Sequence, residues 1–254
     1  MRSPWLRTLL PPLITFIAIV LLAELLLWAL KVDPWKIPLP SAIFDAMIQK
    51  APDLLRSAAI TARAAFMGFA LAGAVGIVIA IVLSSSRWIE RAFYPYMIFF
   101  QTVPIIAIAP LLVIWFEAGT QAVTIAAFIV GVFPVIANTL TGLRSVDPSL
   151  RDLFHLYGGG AWATLFKLKI PSALPNIVTG LRIASGLSVI GAIVGEFVAG
   201  ADVGLGILIL SANRQGGTAL MFAAVLTASL LGLILFGLIQ LAGYLLLRRW
   251  HASA

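Results

Sequence analysis

The chain has 254 residues, of which 61% are hydrophobic and only 11% charged, with no cysteine and a mean hydropathy of +1.07. A soluble domain of this length needs far more charge to cover its surface, and the lack of cysteine excludes disulfide scaffolds and thiolate metal sites. The formal net charge of +7 invites a nucleic-acid reading. The basic residues instead gather in short connections on one side of long apolar runs, so no nucleic-acid partner is expected.

The apolar runs are continuous rather than alternating, and a helix crosses a hydrocarbon core in about 20 residues. An all-α polytopic membrane protein of about six spans is expected, a single domain over 1–254. The first span covers about 9–30; it is too long for the apolar part of a signal peptide and no A-x-A-like site closes it, so it reads as retained. The stretch LPSAIFDAMIQKAPDLLRS then reads as a surface helix on the outer face. Ser41 is placed as its cap, Ile43, Phe44, Met47 and Ile48 as its apolar stripe, and Pro52 as its interruption. Spans two to four follow at about 58–84, 91–115 and 119–141, and spans five and six at about 177–199 and 219–247.

Orientation follows from the connections. Arg2, Arg7, Arg87, Arg91, Arg144, Arg151, Lys167, Lys169, Arg248 and Arg249 fall on one side, which is then the cytoplasmic one and holds both termini. Lipid contact is implied by the spans, and the seven tryptophans lie near span ends or in connections, as interfacial belts do.

Between spans four and five lies TGLRSVDPSLRDLFHLYGGGAWATLFKLKIPSALP. Asp147 and Pro148 make a helix start. Leu150, Leu153, Phe154 and Tyr157 follow at i, i+3, i+4 and i+7 and give one apolar face, and Gly158 supplies a stop. A second helix, AWATLFKLKI, is expected to end before Pro171. The apolar face must be buried, either against the ends of the chain's own spans or in a groove of a partner.

The spacing resembles the cytoplasmic loop of ABC importer permeases, which carries E-A-A, a glycine three residues later, then nine residues and I-x-L-P. Here stand Asp152-Leu153-Phe154, Gly158 and Leu168-Lys169-Ile170-Pro171, with Asp for Glu and Leu-Phe for Ala-Ala. QTVPIIAIAPLLVIWF, FPVIANTLTGLRSVDPSL, LPNIVTGLRIASGLSVIGAIVGEFVAG and the turn Gly204-Leu205-Gly206 extend the resemblance over most of 58–230. They are similar to the branch serving nitrate, sulfonate, taurine and thiamine-precursor importers, and SVIGAIVGE to permeases for hydroxymethylpyrimidine-type or riboflavin-type solutes. Glu117-Ala118-Gly119 stands where related chains commonly show Gly-x-Gly.

The resemblance implies a type I ABC importer permease of the bacterial inner membrane, acting as a homodimer with two copies of an ATPase and an external solute-binding protein. ATP and magnesium would be bound by the ATPase, and this chain would need no cofactor. Leu150, Asp152, Leu153, Phe154, Tyr157, Gly158 and Pro171 would belong to the coupling helix and its flanks. The implied solute is a pyrimidine-like or riboflavin-like vitamin precursor, or a small molecule like sulfonate, taurine or nitrate.

The chain has no G-x-x-x-x-G-K-[ST], its two histidines are isolated, and no Ser-His-Asp set converges, so it is not expected to be an enzyme or to bind metal. Gln101, Thr102, Asn138, Thr139, Ser185 and Ser188 are the candidates for polar lining of a pathway, or for bonds between helices. The scarcity of cations at membrane depth suits a neutral or zwitterionic solute. Pro104 and Pro110 allow bending in span three. Glu24 is expected to be a protonated or interfacial structural group, Glu196 a hydrogen-bonding group near the outer gate, and Arg182, one turn into span five, to snorkel. Two other readings are a secondary transporter or channel, which predicts paired intramembrane charges or interrupted half-helices around a midplane site, and a scaffold subunit, which predicts no polar lining.

Overall fold

The computed structural model describes residues 4–198 and 203–247, with side chains described from Leu10 onward. Arg2, Asp202, Arg248, Arg249, Trp250 and His251, and the side chains of Trp5 and Arg7, lie outside the described residues. Among the described residues every regular element is a helix. Five helices are long and apolar enough to cross a membrane: α1 (Pro4–Ala29), α3 (Ala51–Ser85), α6 (Thr120–Arg144), α9 (Ile170–Val198) and α11 (Thr218–Leu247). A bent pair, α4 (Arg87–Thr102) and α5 (Ile105–Phe116), makes a sixth crossing if it acts as one span. The chain is a multi-pass membrane protein.

The centre of the bundle is α3, α6 and α9, with α6 packed against both others. Small residues make this possible: Ala64, Ala65 and Ala72 of α3, Ala122, Ala126 and Ala127 of α6, and Ala184 and Ala192 of α9 are all buried. A Cβ at Gly68 would lie 2.5 Å from Ala127 Cβ, and one at Gly191 would lie 2.8 Å from Ala127 Cα. Lipid gives apolar helices no hydrophobic reason to associate, so such close van der Waals packing is what holds them. By contrast α1 buries none of its apolar window, and its main contact is with α2 (Pro40–Gln49).

Three sequence expectations change. The continuous third span over 91–115 is replaced by α4 and α5, which meet at 96°. Pro104 lacks a donor and drives Val103 out of the helical region (φ −71°, ψ 123°), so the helix stops rather than kinks.

The helix expected to end before Pro171 does not end there. α8 (Ala161–Thr164) runs through a π-turn (Leu165–Lys169) into α9, giving one helical run of 38 residues. Ile170 N–H donates to Leu165 O, five residues back; the widened turn accommodates Pro171 just beyond it.

Ser41 is not the cap of α2 either. Leu39 holds that position without a side-chain bond, and Pro40 follows at the first helical position. Ile43 and Met47 of α2 pack against Leu54, Ala223 and Ala224, while Phe44 and Ile48 are exposed. Pro52 lies in the first turn of α3, and only Lys50 separates the two helices.

Candidate functional site

At the end of the bundle rich in arginine and lysine, α7 (Pro148–Leu156) stands between α6 and α8. Asp147 Oδ1 accepts the Ser149 N–H at 2.8 Å, and Pro148 occupies the first turn, so the start is built as its residues dictate. The same bonds to Ser149 hold the Asp147 carboxyl below the usual carboxylate range. The helix closes with Gly158 at φ +74°, whose N–H donates to His155 O while Gly159 N–H donates to Phe154 O. That paired pattern needs a left-handed residue, which glycine supplies.

The apolar face of α7 is left uncovered. Leu150 and Leu153 are each 48% exposed and Tyr157 is 85% exposed, while Phe154 is half-buried. Leu153, Phe154 and Tyr157 come together with Gly159, Ala163 and Lys167 around a concavity of about 300 Å³. Asp152 is exposed nearby, whereas Pro171 is half-buried at the start of α9 and does not line this concavity. On α6, Arg144 forms an ion pair with Glu90 of α4, which ties the two helices at this end.

The polar residues expected on spans three to five separate into two groups. Gln101 and Thr102 are exposed at the α4–α5 break, where Thr102 Oγ1 donates to Phe99 O at 2.7 Å. The others lie on α6 and α9. Asn138 Nδ2 donates to Pro134 O at 2.8 Å, and Ser185 Oγ donates to Arg182 O at 2.7 Å. Thr139, Ser185 and Ser188 are wholly buried, and Thr139 Oγ1 and Ser188 Oγ have no protein partner. Ser188 Oγ would lie 2.6 Å from a Cβ placed at Gly131, so it sits against the backbone of α6.

The structure also gives the carboxylates Glu24 and Glu196 definite partners. Glu24 of α1 accepts the Ser41 N–H at 3.0 Å and the Ser41 hydroxyl at 2.7 Å, so a carboxylate from one helix caps the start of another. Glu196 of α9 caps α10 (Leu205–Arg214) in the same manner, accepting Gly206 N–H at 2.7 Å. Thr61, unremarked in the sequence, donates to Glu196 at 2.7 Å and accepts Leu205 N–H at 2.9 Å. No local pattern distinguishes this threonine from its apolar neighbours.

The helix that carries Arg182 begins earlier than the hydropathy indicated, with Ile170 twelve positions before it, about 18 Å of rise. The Arg182 guanidinium lies 5.9 Å from the Phe236 ring centroid, and its buried Nε has no partner. Phe236 also borders an apolar cavity of about 660 Å³ between α9 and α11, near Gly186, Ile190 and Gly232.

Residues 72–249 match the family described as "Binding-protein-dependent transport system inner membrane component". The chain is 39% identical over 169 residues to the riboflavin transport system permease protein RibX of Chloroflexus aurantiacus, covering 66% of this chain and 62% of that one. It is 34% identical over 213 residues to the formylaminopyrimidine transport permease protein ThiX of Halalkalibacterium halodurans, covering 82% and 83%. In fold it resembles a chain of the inward-facing MetNI methionine ABC transporter, with a TM-score of 0.66, 21% identity and coverage of 80% of this chain and 98% of that one.

Proposed function

The chain belongs to the family of binding-protein-dependent transport system inner membrane components, and from that premise we propose that it works as two copies with two ATPase subunits and an external solute-binding protein. The observation that carries this reading is the uncovered apolar face of α7. Leu150, Leu153 and Tyr157 remain open to solvent at a bundle end where no span covers them. Fully burying such a side chain contributes roughly 1.5–3 kcal/mol, which suits docking into a cleft of another protein.

The mechanism follows from how α7 is connected. Gly158–Gly160 join it to the 38-residue run that continues as α9. Closure of the ATPase dimer would displace α7, and the helical run would carry that displacement to the α6–α9 seam. Asn138 and Ser188 lie along that seam and Thr139 and Ser185 are buried on the same two helices, where rearrangement of the bundle would expose the Thr139 and Ser188 hydroxyls, now without partners. Gln101 and Thr102 would flank the same route at the α4–α5 break. ATP and magnesium would be held by the ATPase, and this chain would be a non-catalytic subunit of the cytoplasmic membrane with its basic end inward.

The names of RibX and ThiX favour a heteroaromatic vitamin or vitamin precursor as solute, and a small anion such as a sulfonate is the second choice, since other relatives are named for aliphatic sulfonates and bicarbonate. Of the two features a gradient-driven transporter predicts, an interrupted span is present at the α4–α5 break, while the placement of the ion pairs stands against it. Among the described residues they are Lys36–Asp33 and Arg144–Glu90, both at helix ends or in a connection. The test is uptake of riboflavin and of formylaminopyrimidine into vesicles holding the chain with its ATPase and binding protein. Uptake of either that requires ATP supports the proposal; uptake driven by an ion gradient without ATP overturns it.

A further inference from the structure

Behind α7 lies a second cavity of about 420 Å³, bounded by the last turns of α3, by α7 and by the α8 and π-turn segment. Arg151, His155 and Lys169 line it, and no carboxylate does. Arg151 and His155 are one turn apart on α7, on a different face from Leu150, Leu153 and Tyr157. Lys169 is half-buried, and Arg151 and Arg144 are near enough for their like charges to disfavour its own. Arg144 has Glu90 as its partner, but neither Arg151 nor Lys169 is ion-paired among the described residues. Cations converging on a concave site repel one another, and a bound anion removes that repulsion.

The remaining walls indicate what kind of anion fits. Ser84 and Ser85 donate their hydroxyls to Ile81 O and Val82 O, so the cations are the main donors on offer. Ile81, Val82, Trp162 and Leu165 make the rest largely apolar. Val82 ends an exposed stripe with Val75 and Val78 on the outer face of α3, and Trp162, stacked on Phe166, is 74% exposed at the rim. The chamber carries Arg151, His155 and Lys169 in its lining and adjoins the exposed valine strip of α3.

We propose that this cavity is a binding site for a phosphate-bearing anion, supplied by the headgroup of an anionic phospholipid whose chains lie along Val78 and Val82. Occupancy bridges α3, α7 and the start of α9, and so fixes how α7 is presented. The inference rests on the cavity alone and stands independently of the transport reading.

The test compares retention of phosphatidylglycerol and phosphatidylcholine by the full chain in mild detergent, using native mass spectrometry. The wild type is expected to prefer phosphatidylglycerol, and Arg151→Gln/Lys169→Gln to weaken that binding by about tenfold or more. The charge-preserving Arg151→Lys/Lys169→Arg is expected to keep the preference. Should the double variant fail to fold, Arg151→Gln alone, on an exposed helix, is expected to show part of the loss. A wild type that retains both lipids equally, but is stabilised against heat by millimolar inorganic phosphate only when Arg151 and Lys169 are present, keeps the anion site and overturns its lipid source. No lipid preference and no phosphate effect, or a preference undiminished by the substitutions, overturns the site.

Discussion

Thr61 and Glu196, 135 positions apart, meet in a fully buried joint where the threonine hydroxyl donates to the carboxylate at 2.7 Å. The other carboxylate oxygen accepts Gly206 N–H, and Leu205 N–H donates to Thr61, so α3, α9 and the start of α10 share one polar node. Gly204 leaves it room, since a Cβ there would lie 2.4 Å from Glu196 Cδ. Thr61→Val removes the donor and strands both a carboxylate oxygen and a backbone N–H, at a cost of about 1–3 kcal/mol. Thermal unfolding in detergent is expected to show that loss, with a smaller one for Glu196→Gln, which retains an acceptor for Gly206.

The α3–α6 contact predicts a contrast between glycines. A methyl at Gly68 meets Ala127 Cβ at 2.5 Å and Thr124 O at 2.7 Å, whereas one at Gly237 meets nothing within 4 Å. Gly68→Ala is expected to lower folded yield and melting temperature. Gly237→Ala is expected to be neutral or to stabilise by up to about 1 kcal/mol through helix propensity.

Glu24 anchors α1 through Ser41, and α1 has little other hold on the bundle. Glu24→Ala is expected to speed hydrogen exchange at the first turn of α2 while leaving α6 and α9 unchanged. Unaltered exchange at Ser41 and Ala42 would contradict the capping role.

The Asp147 cap is expected to be pH-dependent with a definite sign. Its carboxyl titrates lower when folded than when unfolded, so its stabilisation of α7 is complete above the unfolded value, about 4, and is lost as pH falls through the lower folded value. Protection of the amides in 148–156, taken relative to intrinsic exchange at each pH, is expected to fall at acid pH in the wild type. In Asp147→Ala protection is expected to be lower already at neutral pH and to lack that acid step.

Much of this was legible in sequence because it is local. The Asp147-Pro148 start, the apolar spacing from Leu150 to Tyr157 and the stop at Gly158 all concern neighbours, and the helix forms as they dictate. The partners of Glu24 and Glu196 were not legible, because each is fixed by packing between segments distant in the chain: Ser41 was read only as a local cap, and Thr61 is not locally unusual. Prolines misled in both directions. Pro104 stops a span that hydropathy made continuous, and Pro171 interrupts nothing because a π-turn precedes it. The interhelical burial of Thr139, Ser185 and Ser188 depends on which faces of α3, α6 and α9 meet, which the composition of no one helix specifies.

The most direct test of the central claim is co-purification of the ATPase encoded beside this chain with the wild type and with Leu153→Asp/Phe154→Asp. Retention by the wild type and loss from the variant, with both folded in detergent, is the result expected if α7 couples the two subunits. A wild type that retains no ATPase at any salt concentration would contradict the importer reading, and equal retention by both chains would contradict the role given to the face of α7.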